Sequence, residues 1–212
     1  MEYLLTGIIG GSGRLGSVIS TLCNCRKIDL FSDLKEIDLC IDVSKANVVK
    51  EFLPLILKAK LPLVVGSTGH SSETFDKLVE ASTLIPVLIA ENFSEGIYLL
   101  KCALLALNIT PTLITETHHE HKKDAPSGTA KMLQSLYKHP PTVESIRKRE
   151  EVGTHTVTFS FPFESVEISH KAESLKLFAE GARKALFFLS KKERGLYTMD
   201  DVYKKDKYEP KI

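Results

Sequence analysis

Three histidines (His118, His119, His121) and two lysines (Lys122, Lys123) crowd into six consecutive residues, just ahead of a Pro126, Ser127, Gly128, Thr129 junction. Imidazole is the side chain most easily poised to exchange a proton near neutral pH, and lysine adds full positive charge. Upstream, residues 112–117 read as a strand. Downstream, residues 127–137 read as a helix, with Pro126 at the boundary and Asp124 and Ser127 suited to cap it. Helix N-termini present unpaired backbone N–H groups that bind anions. The stretch therefore reads as a site that grips a carboxylate or phosphate and passes a proton. The plainer alternative is a solvated charged loop leading into a helix. A metal site is a further alternative. Adjacent histidines on a strand point to opposite faces, however, and the lysines would repel a cation, so no metal is expected.

A second chemical element lies near the N-terminus. Residues 4–9 form a short apolar run with the character of a buried strand. Gly10, Gly11, Ser12, Gly13, Arg14, Leu15 and Gly16 follow, and then a helical stretch over 17–23. Gly11, Gly13 and Gly16 give G-x-G-x-x-G, and Gly10, Gly13 and Gly16 give G-x-x-G-x-x-G. Strand, glycine turn and helix is the setting a dinucleotide pyrophosphate requires. The first glycines permit the tight turn and close backbone approach, and the last lets helix and strand pack together. A mere turn is the alternative.

These sites need elements to position them, and the pattern supplies an alternation. Strands are expected over 37–43, 61–65 and 85–90. Helices are expected over 46–58 (with a kink at Pro54), 72–81 and 95–107. This order predicts an α/β fold with a parallel, doubly wound sheet, whose ligands bind beyond the carboxyl ends of the strands. The glycine loop, Ser44 and Lys45, the Gly66, Ser67, Thr68, Gly69 run, and Asn92 and Phe93 all fall at that edge. Residues 154–161 then alternate strictly, with His155, Val157, Phe159 and Phe161 on one face. Residues 164–170 return with Val166 and Ile168 aligned, which predicts a half-buried antiparallel region. Leu175, Phe178, Ala179, Ala182, Leu186 and Leu189 form the apolar stripe of a helix. The tail from Lys204 reads as polar and loose.

The 212 residues can bury a core in one large or two small domains. With 43% hydrophobic and 26% charged residues and a net charge of +1, there is no electrostatic case for a nucleic-acid or membrane partner. No apolar run is long enough to span a bilayer, and the N-terminus lacks the basic region and cleavage site of a signal peptide. Cys23, Cys25, Cys40 and Cys102 show neither metal-type spacing nor a disulfide framework. Reduced thiols in a cytoplasmic protein are the expectation.

The order of these motifs, from the glycine loop through Gly66 to Gly69, Ala90 to Ser94 and His118 to Ala130, resembles the dihydrodipicolinate reductase family. The likeness continues through His170, Lys171 and Ala172 and through Phe178 to Ala182, and so covers nearly the whole chain. It implies a Rossmann-type NAD(P)H-binding domain over 1–93, completed by 174–212. It also implies an α+β substrate-binding and oligomerisation domain over 94–173, whose open antiparallel or mixed sheet makes a homotetramer. The implied activity is NAD(P)H-dependent reduction of 4-hydroxy-tetrahydrodipicolinate, a small dicarboxylate, in lysine and diaminopimelate synthesis. By the resemblance, His118 and Lys122 are catalytic, as acid/base and proton donor. His119, Gly128 and Thr129 hold substrate. Gly10, Gly11, Ser12, Gly13, Arg14, Leu15, Lys45, Gly66, Ser67, Thr68, Ala90, Glu91, Asn92 and Phe93 contact NADH or NADPH.

Three departures accompany the resemblance. The chain is shorter than is usual for the family, with much of the loss near the second strand, where the ribose 2′ position is normally read. Neither Arg26 and Lys27 nor Ser32 and Asp33 stands out there as a reader, so weak discrimination between NADH and NADPH is expected. Leu175 stands where the family has an arginine, and Lys45 keeps a positive charge without the planar fork. The sheet also lacks an expected hairpin ahead of Ser145. The alternative to an enzyme is a degenerate relative that binds a small anion or a partner without turnover.

Overall fold

The computed structural model describes residues 4–204, which divide into two compact units, residues 4–93 with 178–204 and residues 94–177. The expected loose tail beyond Lys204 lies outside the described residues. The first unit opens with β1 (Thr6–Ile9), α1 (Arg14–Leu22), β2 (Cys25–Lys27) and β3 (Leu39–Asp42). It continues through α2 (Val49–Ala59), β4 (Leu63–Val65), α3 (Ser72–Ser82) and β5 (Pro86–Ile89). Every residue of β1, β3 and β4 is buried, as strands covered on both faces must be. Successive side chains point to opposite faces. Ile9, Cys40, Leu63, Val65 and Val87 accordingly pack with Val49, Phe52, Ile56 and Leu78 from α2 and α3. Ile8, Leu39, Ile41, Val64 and Leu88 pack on the other side with Ile19 of α1.

The second unit contains α4 (Glu95–Leu107), β6 (Leu113–His119), α5 (Gly128–Gln134), β7 (Thr142–Lys148), β8 (Gly153–Ser160) and β9 (Ser165–Ala172). Its sheet runs in the order β7-β6-β8-β9. β6 and β7 are parallel, joined through α5, and the other pairs are antiparallel. The sheet is therefore mixed, and the sequence pattern had shown only its antiparallel half. β7 was hidden because it is mostly exposed and polar and carries no alternating apolar signal. Ile97, Leu100 and Leu104 of α4, Ala130 and Leu133 of α5, and Ile114, Val157 and Phe159 of the sheet form one core. Phe161 departs from expectation. It lies past the end of β8, in the turn where its N–H bonds Glu164 O, and is exposed. Val166 is exposed as well.

The chain then supplies α6 (Lys176–Leu189), β10 (Gly195–Thr198) and α7 (Met199–Tyr203). β10 pairs with β5 and completes a six-stranded, all-parallel sheet in the order β10-β5-β4-β3-β1-β2. Ala179, Ala182, Ala185, Leu186 and Leu189 of α6 cover the face that holds Ile8 and Ile41. Gly181 permits close approach there, since a Cβ would stand 1.9 Å from Phe93 O. Tyr203 donates to the same carbonyl oxygen at 2.6 Å.

Some boundaries moved for local reasons. α1 starts at Arg14, three residues before the expected start, because Gly13 serves as its N-cap. α2 starts later than expected because Asn47 takes a left-handed conformation (φ 66°) and its Oδ1 accepts from Ser71 N and Thr74 Oγ1. Pro54 lies inside α2.

The strand order reverses direction at β1, so the glycine loop stands at the switch point of the sheet. Gly10 has φ +82°, and a Cβ there would lie 2.7 Å from Ser44 N. A Cβ on Gly16 would lie 2.2 Å from Gly10 O, whereas one on Gly13 would meet nothing closer than 3.2 Å. Gly16→Ala is therefore expected to cost about 1–3 kcal/mol by forcing α1 off the loop, and Gly13→Ala much less. Urea unfolding of both variants checks the ordering.

Candidate active site

The acid/base stretch is built from the alternation of β6. Ile114, Glu116 and His118 point inward, while Thr115, Thr117 and His119 are half-buried on the other face. Glu116 is fully buried, and every charge on it is answered. Arg147, which faces His118 across the parallel β6–β7 ladder, sends two guanidinium nitrogens to the carboxylate, at 2.9 and 3.1 Å. His118 Nδ1 donates to Glu116 Oε2, and Ser127 N donates to Oε1 at 3.3 Å. Burial pushes the Glu116 carboxyl up, but the hydrogen bonds from Arg147, Ser145 and His118 outweigh it and hold it below the usual carboxylate range. The same guanidinium also reaches Lys122 O at 3.2 Å and Asp124 O at 2.6 Å. One arginine thus ties the strand to the backbone of the loop that carries Lys122.

With Nδ1 donating to Glu116, His118 keeps Nε2 as an acceptor. A Cβ on Gly153 would come within 3.1 Å of that nitrogen, so the glycine keeps this edge clear. Burial is the largest influence on His118 and lowers its proton affinity. Glu116 pulls the other way, Lys122 and Arg147 add to the lowering, and the net shift is downward. His118 is therefore a neutral, oriented base at neutral pH. Lys122 Nζ lies 2.8 Å from Asp124 Oδ1, which holds the ammonium in place. The Lys122 N–H closes a turn onto His119 O at 3.1 Å.

The three histidines of the motif do not converge. His118 is buried, His119 is half-buried on the opposite face, and the His121 side chain is 84% exposed. Among the described residues no group of three or more His, Cys, Asp or Glu side chains is placed to hold a metal ion. Ser127 caps α5 as expected, accepting from Ala130 N at 3.2 Å. Its own N–H goes to Glu116, so the start of this helix is anchored to the Glu116–His118 pair. Gly128 and Thr129 follow directly, half-buried and buried respectively.

Sequence reasoning missed Arg147, His155 and Gly153. Arg147 lies on the strand that had no apolar signal. His155 was placed on a buried face but given no role. It faces Glu116 across β6–β8 and His170 across β8–β9, stands edge-on to His118 at 5.1 Å, and has Ser127 Oγ 3.2 Å from its Nε2. Its Nδ1 is buried without a hydrogen-bond partner among the described residues. Burial, reinforced by the charge of His118, pushes its pKa down to about 3. The i, i+2 spacing of Glu116 and His118 on a strand was the one available signal that the two share a face.

In the other unit, the glycine loop closes with Gly13 N donating to Gly10 O at 2.9 Å. No side chain caps α1, and its first turn carries no acid, so the helix start suits an anion. Ser12, Gly13 and Arg14 are exposed and Leu15 is half-buried, whereas Gly11 is buried against Lys27. Buried Asp42, at the end of β3, accepts from Ser44 N at 3.0 Å and from the hydroxyls of Ser44 and Ser67. It thereby staples the loop after β3 to the loop after β4. Lys45, Thr68 and Glu91 are exposed and Asn92 is half-buried. The side chains of Ser67, Ala90 and Phe93 are buried, and a Cβ on Gly66 would strike the Phe93 ring at 2.4 Å. A ligand at Gly66, Ser67, Ala90 and Phe93 would therefore meet backbone. The glycine loop and the uncapped helix fit a dinucleotide pyrophosphate.

A parallel sheet with a glycine loop at its switch point, on a chain that also carries an oriented histidine–carboxylate pair, is the build of a two-unit nucleotide-dependent oxidoreductase. The chain belongs to the dihydrodipicolinate reductase family. Residues 26–93 match the model "Dihydrodipicolinate reductase, N-terminus", and residues 97–203 match "Dihydrodipicolinate reductase, C-terminus". The 4-hydroxy-tetrahydrodipicolinate reductase of Akkermansia muciniphila is 33% identical over 242 aligned positions, covering 95% of this chain and 97% of that protein. The Caldanaerobacter subterraneus protein of the same name is 34% identical, with 93% and 97% covered. Alignments longer than the 212-residue chain leave gaps in it. A dipicolinate-bound dihydrodipicolinate reductase from Paenisporosarcina shares the fold at a TM-score of 0.70 and 19% identity, over 92% of this chain and 97% of its own.

Two outcomes follow from the buried charges. Glu116→Gln leaves Arg147 without its counter-charge and is expected to cost about 3–5 kcal/mol of unfolding free energy, measured by urea unfolding at pH 7.5. The histidines set the pH dependence. The unfolded chain binds a proton at position 155 below about pH 6.5, and the native protein does so only near 3. The stabilisation is therefore complete above pH 6.5 and is lost as pH falls toward 3. His155 alone should remove about 2 kcal/mol between pH 7.5 and pH 5, and His155→Gln should flatten that slope in paired denaturation curves.

Proposed function

We propose that this protein reduces 4-hydroxy-tetrahydrodipicolinate to tetrahydrodipicolinate, consuming NADH or NADPH and a proton and releasing water, in lysine and diaminopimelate synthesis. The observation that carries the reading is the Glu116, His118, Arg147 and Lys122 assembly, in a chain whose similar relatives bear that reductase name. The bound nicotinamide supplies the hydride. The glycine loop (Gly10, Gly11, Ser12, Gly13, Arg14, Leu15) with Lys45 holds the nucleotide's phosphates. Gly66, Ser67, Thr68, Ala90, Glu91, Asn92 and Phe93 line its reacting half.

The chain's own residues handle protons and carboxylates. Lys122, steadied by Asp124, donates the proton. His118, neutral and with Nε2 kept clear by Gly153, takes the proton that leaves the substrate as its hydroxyl departs and returns it to that hydroxyl, which leaves as water; Glu116 stabilises the imidazolium in between. His119, Gly128 and Thr129 grip the substrate carboxylates beside the α5 start. The same reading makes the protein cytoplasmic and a homotetramer through the uncovered face of the mixed sheet. Thr154, Thr156 and Thr158 lie half-buried on that face.

A coupled assay tests this. With enzymatically generated substrate, the purified protein should oxidise NADH or NADPH. Lys122→Ala should lower kcat by about two to four orders of magnitude, as loss of a positioned acid does, with nucleotide affinity nearly unchanged. Nucleotide binding without any turnover in the unaltered protein would favour a non-catalytic relative instead.

A further inference from the structure

We infer that His155 is a positioning residue for the reaction, holding the His118 base and the start of α5 in one fixed arrangement. This rests on the function proposed above and gives a part to a residue that function leaves unused. Four contacts form a closed circuit. His118 Nδ1 donates to Glu116 Oε2, and the Ser127 N–H donates to Glu116 Oε1 at 3.3 Å. His155 Nε2 lies 3.2 Å from Ser127 Oγ, and its ring stands edge-on to that of His118, with centroids 5.1 Å apart and planes at 75°. Without His155 the circuit opens. Glu116 alone would then connect the base to the helix start that Gly128 and Thr129 continue.

Gly153 and His155 project from the same face of β8, two residues apart. Gly153 leaves His118 Nε2 clear, since a Cβ there would come within 3.1 Å, and His155 is a wall beside the same ring. The bond from Nδ1 to Glu116 fixes one atom of the His118 imidazole. Packing against His155 fixes the plane of the ring, and with it the direction in which Nε2 points. Stability does not account for an imidazole at position 155. The residue is 3% exposed, its Nδ1 has no hydrogen-bond partner among the described residues, and burial keeps the ring uncharged at neutral pH. A buried polar atom left unanswered costs stability relative to an apolar side chain of similar volume. What the imidazole supplies instead is a rigid ring for His118 and a polar edge for Ser127. Ser127 Oγ also accepts from Ala130 N at 3.2 Å, so its contact with His155 reaches the first turn of α5.

Three substitutions in the full chain test this. His155→Leu fills the space without a polar atom, His155→Gln offers Ser127 Oγ an amide, and Ser127→Ala removes the other side of the contact. The coupled assay gives kcat and KM, calorimetry gives the affinities for NADH, NADPH and dipicolinate (a planar dicarboxylate), and urea unfolding reports the fold. His155→Leu should lower kcat about 10–100-fold and weaken dipicolinate about tenfold, with nucleotide affinity unchanged. His155→Gln should recover most of the dipicolinate affinity but less of kcat, because an amide restores the hydrogen bond and not the ring. In a Ser127→Ala background His155→Leu should weaken dipicolinate little further, since the contact it breaks is already gone. Should His155→Leu unfold, His155→Gln decides alone: near-normal dipicolinate affinity with a lowered kcat supports the assignment, and an unchanged kcat overturns it. A folded His155→Leu protein with unchanged kcat and dipicolinate affinity, or a His155→Gln variant no better than His155→Leu, would overturn the assignment while leaving the proposed function standing. An unaltered protein without turnover would overturn both.

Discussion

The contact between Glu116 and Arg147 sets the terms for everything around it in the second unit. A carboxylate without solvent exposure is tenable only when paired and fully hydrogen-bonded. Glu116 meets that demand with a two-pronged guanidinium, an imidazole and a backbone amide. Each of those partners is fixed in return. Arg147 registers β7 against β6 and holds the carbonyls of Lys122 and Asp124. Ser127 sets where α5 begins. His118 is left with one free nitrogen in a defined direction. A loop of charged residues, which would otherwise be mobile and solvated, becomes a shaped wall.

The parallel sheet of the first unit uses Asp42 in a related way. Two loops leave the carboxyl edge next to each other, and a buried carboxylate joins them through Ser44 and Ser67. His70 adds a second tie between the same loops, accepting from Asn47 N at 3.1 Å while its other nitrogen faces Ser67 O at 2.9 Å. Buried polar groups thus order the loops at the carboxyl edge of the sheet. Gly10 and Gly66 complete the effect, since a Cβ at either would collide with the neighbouring loop or with Phe93.

Much of the fold was legible from the chain. The strand and helix alternation of residues 4–107, the glycine turn and the cap at Ser127 were all visible, because they depend on local periodicity and on residues with strong backbone preferences. The histidine and lysine motif was legible for the same reason, as a dense local cluster. β7 and β10 were not legible. β7 is mostly polar because one of its faces is uncovered, and β10 is only four residues long. Both are held by pairing with strands distant in sequence, which leaves no local trace.

The sequence by itself determined where the clusters of titratable residues and the glycine turn lie and which strands must be buried. Side-chain type and spacing act at short range and need no fold to be read. Only the tertiary structure decided that His118 is a neutral base, because its proton affinity depends on burial and on Glu116, Lys122 and Arg147. Only the tertiary structure brought Arg147 to Glu116, through a parallel crossover that no local pattern encodes. The acids after β2 show the same division. Asp29 and Asp33 close local turns onto Phe31 N and Lys35 N, which short-range sequence dictates, whereas the pairing of Glu36 with Arg26 and of Asp38 with Leu5 N is set by the fold.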